Sequence, residues 1–75
     1  MKKIETTSPN FITESFNLLR EYIGNTERIV YIDTISHSRY LKDIYMSVKG
    51  IKYRIRMEQG YYDPCSFVYD IKLVG

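Results

Sequence analysis

His37 is the only histidine in the chain, and it stands between Ser36 and Ser38 with Asp33 four residues ahead. An imidazole, a carboxylate and a hydroxyl are the parts of an acid–base nucleophile system, in which one group takes the proton and another orients it. That chemistry also needs a water-poor pocket, and Ser36-His37-Ser38 reads as a surface turn. Cys65 is the only cysteine and follows Asp63-Pro64 in a loop. A Cys–His pair would need residues 59–65 to meet residues 36–38, and these two connections are expected at distant corners of a meander. One cysteine forms no intrachain disulfide and no cysteine-based metal site. Asp33, Asp43, Asp63 and Asp70 are dispersed, without the spacing of a metal-binding loop. The four glycines form no phosphate-binding pattern. The sequence therefore points away from catalysis, metal and cofactor.

A different chemistry lies in residues 51–58. Ile51, Tyr53, Ile55 and Met57 alternate with Lys52, Arg54, Arg56 and Glu58, the pattern of a strand with one buried and one wet face. Basic groups and rings on an open sheet can track phosphates and stack on bases. The same mixture of Tyr and Arg is enriched where proteins recognise proteins. Residues 1–37 carry four basic and five acidic side chains, and residues 38–75 carry seven and four. The total of +2 is small for a dedicated nucleic-acid binder.

The elements that hold these residues follow from composition and punctuation. Seventy-five residues make one domain, too short for a dinucleotide-binding fold or a barrel. Alanine is absent, isoleucine occurs ten times and tyrosine eight, so β-formers dominate. Residues 1–8 are polar and are expected to form a flexible arm. A helix follows, capped by Ser8 with Pro9 in its first turn, or by Asn10, and stopped by Gly24-Asn25. Ile12, Phe16, Leu19 and Ile23 recur on one helical face, flanked by Phe11, Ser15, Leu18 and Tyr22.

The rest reads as strands at 28–35, 39–48, 51–58 and 66–74. Lys49-Gly50 is a two-residue hairpin turn, which pairs Val48 with Ile51, Tyr45 with Arg54 and Asp43 with Arg56. A three-residue first turn would pair Ile35 with Arg39 and put Ile29 and Tyr31 on the outer face beside Leu41 and Tyr45. A four-residue turn would invert that assignment. The expected fold class is α+β: one N-terminal helix packed on one face of a four-stranded antiparallel meander sheet, with residues 1–75 a single domain. Four strands span roughly 15–20 Å and a helix only about 10–12 Å. The uncovered inner face calls for the 59–65 loop, the N-terminal arm or a second copy, which makes a homodimer an expectation.

Lys52-Tyr53-Arg54-Ile55-Arg56 resembles the basic central strand of RelE-type ribonuclease toxins over about five residues. Those toxins place a longer helical hairpin before the sheet, and this chain has one short helix. The order of helix then strands is loosely similar to double-stranded-RNA-binding domains, without their closing helix. At the level of class, the chain resembles the small inhibitors of phages and other mobile elements, anti-CRISPR proteins among them. Tiny size, absence of motif and an exposed recognition face are what they share.

The expected function is a non-catalytic binding protein that occludes a protein partner. Its binding residues would be Tyr31, Tyr45, Lys52, Arg54, Arg56 and Lys72, and single-stranded nucleic acid is the alternative partner. Met1-Lys2-Lys3 is followed by Ile4, Glu5 and Thr6 rather than an apolar run, so no signal peptide is expected. No stretch approaches the ~20 apolar residues of a membrane span. With a lone cysteine, these features lead to a reducing, cytoplasmic setting.

Overall fold

A computed structural model describes residues 2–24 and 28–74. The elements in chain order are β1 (Lys2–Glu5), α1 (Phe11–Ile23), β2 (Val30–Ser36), β3 (Leu41–Val48), β4 (Ile51–Gln59) and β5 (Ser66–Val74). The strands form one antiparallel sheet in the order β1-β5-β4-β3-β2. The expected four-stranded sheet is thus corrected to five. The segment expected as a flexible arm contributes the fifth strand, pairing Lys2 with Tyr69 and Ile4 with Phe67. Its polar sequence suits an edge: Ile4 packs on the core while Lys2, Lys3 and Glu5 stay exposed.

The hairpin at Lys49-Gly50 forms as expected. Both residues take positive φ, 53° and 77°, which matches the twist of the strands they join. The pairs Val48–Ile51, Met46–Tyr53, Tyr45–Arg54 and Asp43–Arg56 follow. The first hairpin differs from the expected register. Ser36 pairs with Lys42 and Ile35 with Asp43, so the connection is longer than three residues. Ile32 is the extra residue of a β-bulge, between Tyr31 opposite Met46 and Asp33 opposite Tyr45. One inserted residue turns everything before it to the other face. Tyr31, expected beside Tyr45, therefore lies on the helix side, and Ile29 packs against the core.

The helix begins at Asn10, not at Ser8. The Asn10 side chain accepts the Thr13 N–H at 2.9 Å. Ser8 belongs to the turn leaving β1, where its N–H bonds Thr6 Oγ1. Gly24 ends the helix at φ 67°, its N–H donating to the Arg20 carbonyl at 3.1 Å; Asn25, the other half of the expected stop, lies outside the described residues. Asn10→Ala should lower the unfolding free energy by about 1 kcal/mol, read from urea denaturation.

The core joins Leu18 and Leu19 of the helix to Ile44, Met46, Val48, Ile55, Met57 and Phe67 of the sheet, with Phe16, Ile23, Tyr53, Tyr69 and Ile71 packed around them. On the face of residues 51–58 expected to be buried, Ile55 and Met57 are fully buried, Tyr53 is partly buried and Ile51 is exposed. The helix is rotated from expectation: Leu18 and Ser15 are buried, and Ile12 is 40% exposed. Glu14 is buried too and accepts a 2.7 Å bond from the Thr6 hydroxyl. That bond ties the helix flank to the turn after β1. The inner face remains only partly covered. Leu73 and Ile51 are exposed, and a groove of about 420 Å³ opens between helix and sheet beside Leu18, Glu21, Tyr22 and Tyr69.

Candidate functional site

The face turned away from the helix is ordered by register into rows. Ile35, Asp43, Arg56 and Asp70 lie side by side across β2, β3, β4 and β5; Asp33, Tyr45, Arg54 and Lys72 form the next row. Side chains directly opposite in antiparallel strands stand close enough to pair. Four of the six expected binding residues, Tyr45, Arg54, Arg56 and Lys72, are brought together here. Lys52 is one pair further along, opposite Ser47, and Tyr31 is on the other side of the sheet.

The cations in these rows have carboxylate neighbours. Arg54 Nη2 is 3.7 Å and Lys72 Nζ 3.8 Å from Asp70 Oδ2. Arg54 Nε is buried and has no hydrogen-bond partner among the described residues. Arg56 grips Asp43 with a fork, Nε on Oδ1 at 2.8 Å and Nη2 on Oδ2 at 2.9 Å. Such two-pronged pairs are the strong, geometrically specific kind. His37 Nε2 reaches the same Oδ2 at 2.7 Å from the first hairpin loop. Asp43 is only 3% exposed. The Arg56 bonds hold its carboxyl at about 2, below the usual 3.8; burial opposes that shift and the His37 bond adds to it. The same pairing raises the Arg56 guanidinium.

Two loops meet at this end of the sheet. In an up-and-down chain the β2–β3 and β4–β5 connections fall at the same end, so the expectation of distant corners is corrected. Tyr40 from the first loop and Tyr61 from the second have ring centroids 5.1 Å apart, and Tyr62 packs edge-on to Tyr61 at 4.8 Å. Tyr61 is 68% and Tyr62 93% exposed. Beside them a groove of about 300 Å³ is lined by Tyr40, Glu58, Tyr61 and Val68.

The loop that carries these rings is braced from within. Gly60 N–H donates to the Ser66 carbonyl at 2.7 Å, Ser66 N–H to the Asp63 carbonyl at 3.0 Å, and Cys65 N–H to Asp63 Oδ1 at 3.2 Å. Gln59 Nε2 donates to the Pro64 carbonyl, and Thr6 N–H to that of Cys65. The turn is so tight that a Cβ on Gly60 would stand 2.6 Å from the Asp63 carbonyl oxygen. Two large rings are thus presented to solvent on a backbone fixed by its own hydrogen bonds.

Chemically, the Asp43 cluster acts as a clasp. It joins the first hairpin loop to the central strands, and its carboxylate already serves two partners. Among the described residues no group of three or more His, Cys, Asp or Glu side chains is placed to hold a metal. No helix among them is long and apolar enough to cross a membrane. The sequence reading missed the tyrosine end and His37–Asp43. The signal for the first was present in Gly60-Tyr61-Tyr62-Asp63-Pro64, where two large rings sit in a turn sequence that offers nothing to bury them. The second needed the first hairpin's register. No known family model, no curated protein and no solved structure matches the chain.

Proposed function

We propose that this chain is a small non-catalytic binding protein that occludes a protein partner, of the kind that phages and mobile elements use as inhibitors, acting in the cytoplasm. The observation that carries this reading is the exposed tyrosine pair, Tyr61 and Tyr62, on a hydrogen-bonded loop. Rigid aromatic side chains give a partner large contact area with little entropy left to lose. The groove beside Tyr61 and, on the same face beyond the Asp43–Arg56 row, Tyr45 and Arg54 extend the surface. The carboxylates beside Arg54, Arg56 and Lys72 favour a protein over a phosphate backbone, because they already offset the charges that would track it.

The test is affinity purification from the natural host with wild type and with a Tyr61→Ala/Tyr62→Ala variant. A host protein recovered by the wild type and lost by the variant is expected, and its own purified activity should be blocked by the wild type at equimolar ratio. Gel shifts with single-stranded oligonucleotides should show only weak binding. A tight complex at about 150 mM salt, weakened by Tyr45→Ala and Arg54→Ala, would favour the nucleic-acid reading instead.

A further inference from the structure

Glu58 stands between Leu41 and Val68 on the face turned away from the helix, one row beyond Asp43, Arg56 and Asp70. It differs from the carboxylates of that row. Asp43 holds Arg56 and His37, and Asp70 lies near Arg54 and Lys72. Glu58 is exposed, and among the described residues its side chain has no ion pair and no hydrogen bond.

Glu58 also lines the groove of about 300 Å³ that Tyr40 and Tyr61 border. An aromatic ring carries negative charge density on its face, so two tyrosines and an unneutralised carboxylate around one recess all attract a cation. The rings stand in place beforehand: Tyr40 and Tyr61 lie 5.1 Å apart, Tyr62 packs edge-on against Tyr61, and the Gly60 N–H is bonded to the Ser66 carbonyl. The same carboxylate repels a phosphate or an acidic side chain.

Among cationic side chains the recess suits arginine. A guanidinium is planar, so it can lie on a ring while presenting two N–H groups to a carboxylate, and it gives up water more readily than an ammonium. We propose that this groove receives an arginine side chain from the surface of the protein partner, its guanidinium against the Tyr40 and Tyr61 rings and bonded to Glu58. The assignment rests on the protein-binding reading above and names what the partner brings to the tyrosine end.

Titration with N-acetyl-arginine amide, followed through the backbone amide resonances, tests this without any host protein. The resonances of Tyr40, Glu58, Gly60 and Tyr61 should shift together and saturate. The capped citrulline analogue has the same shape without the charge and should bind about fivefold or more weakly, and capped lysine should also bind more weakly. Glu58→Gln should weaken arginine binding about threefold to fivefold. Tyr61→Leu keeps apolar bulk without the ring and should weaken it about twofold to fivefold. Both positions are exposed, so the variants should fold, as checked by unchanged resonances of α1. Absence of a saturating shift at these residues overturns the proposal, as does equal binding of citrulline or lysine, or full affinity in Glu58→Gln. Such a result leaves standing a host protein that is lost with Tyr61→Ala/Tyr62→Ala. Failure to recover a host protein, with arginine still bound, counts against the protein-binding reading while the guanidinium site stands.

Discussion

Phe67→Ala should lower the unfolding free energy by about 3–5 kcal/mol, the usual loss for a large ring removed from a full core. The whole stability of a small domain is of similar size, so much of the variant should be unfolded at room temperature. Phe67 is fully buried and meets the Phe11 ring edge-on at 5.2 Å. It stands opposite Ile4, so it joins the helix start, β5 and β1 in one contact region. Phe16→Ala should cost less, because Phe16 is only partly buried. Ile12→Ala should cost less than Leu18→Ala, since the helix turns Leu18 inward and Ile12 outward. Urea midpoints of these variants give the comparison. Equal losses at Ile12 and Leu18 would show that the helix does not sit with the face seen here.

Acid should weaken the fold through Asp43. Its carboxyl is held at about 2 in the folded chain against an ordinary 3.8. A carboxyl depressed by folding stabilises the native state above its unfolded value, and that stabilisation fades as pH falls through the folded value. The window is therefore from about pH 4 down to about pH 2. The shift corresponds to about 2.5 kcal/mol at face value. Arg56 and His37 are partly in solvent, which screens the interaction to about 1–2 kcal/mol. Asp43→Asn should be less stable at neutral pH and lose less than the wild type across that window. Arg56→Met removes the main cause of the depression, so its Asp43 should protonate at higher pH. An Asp43→Asn variant with the wild-type acid profile would contradict the clasp.

Much of the sheet was legible because three strands carry their own evidence. Residues 51–58 alternate without a break, 66–74 repeat the pattern, Ile44, Met46 and Val48 alternate in the third, and glycine at position 50 marks the turn that pairs 39–48 with 51–58. β1 was not legible because a four-residue edge strand with one inward side chain has no periodicity to find. The bulge at Ile32 was not legible for a related reason: an inserted residue changes the face of its neighbours without changing the composition. The consequence was large, since it removed Tyr31 from the expected surface while Tyr45, Arg54, Arg56 and Lys72 stayed together. On the helix, apolar residues cover too wide a sector to choose between Ile12 and Leu18. The tertiary bond from Thr6 to Glu14 goes with the orientation that buries Leu18.

β1 and β5 are neighbours in the sheet but lie at opposite ends of the chain: Lys2 faces Tyr69 and Glu5 faces Ser66. Every other strand pair joins segments adjacent in sequence and can close through a hairpin. Contacts between distant segments incur a larger loop-closure entropy, so local hairpins have the advantage early in folding. The meander can thus assemble from β2 to β5 while the first strand is still unbound. Four residue pairs and the Thr6–Cys65 bond then complete the seam. This four-pair seam between segments distant in sequence is therefore expected to close last and to exchange its amide protons first.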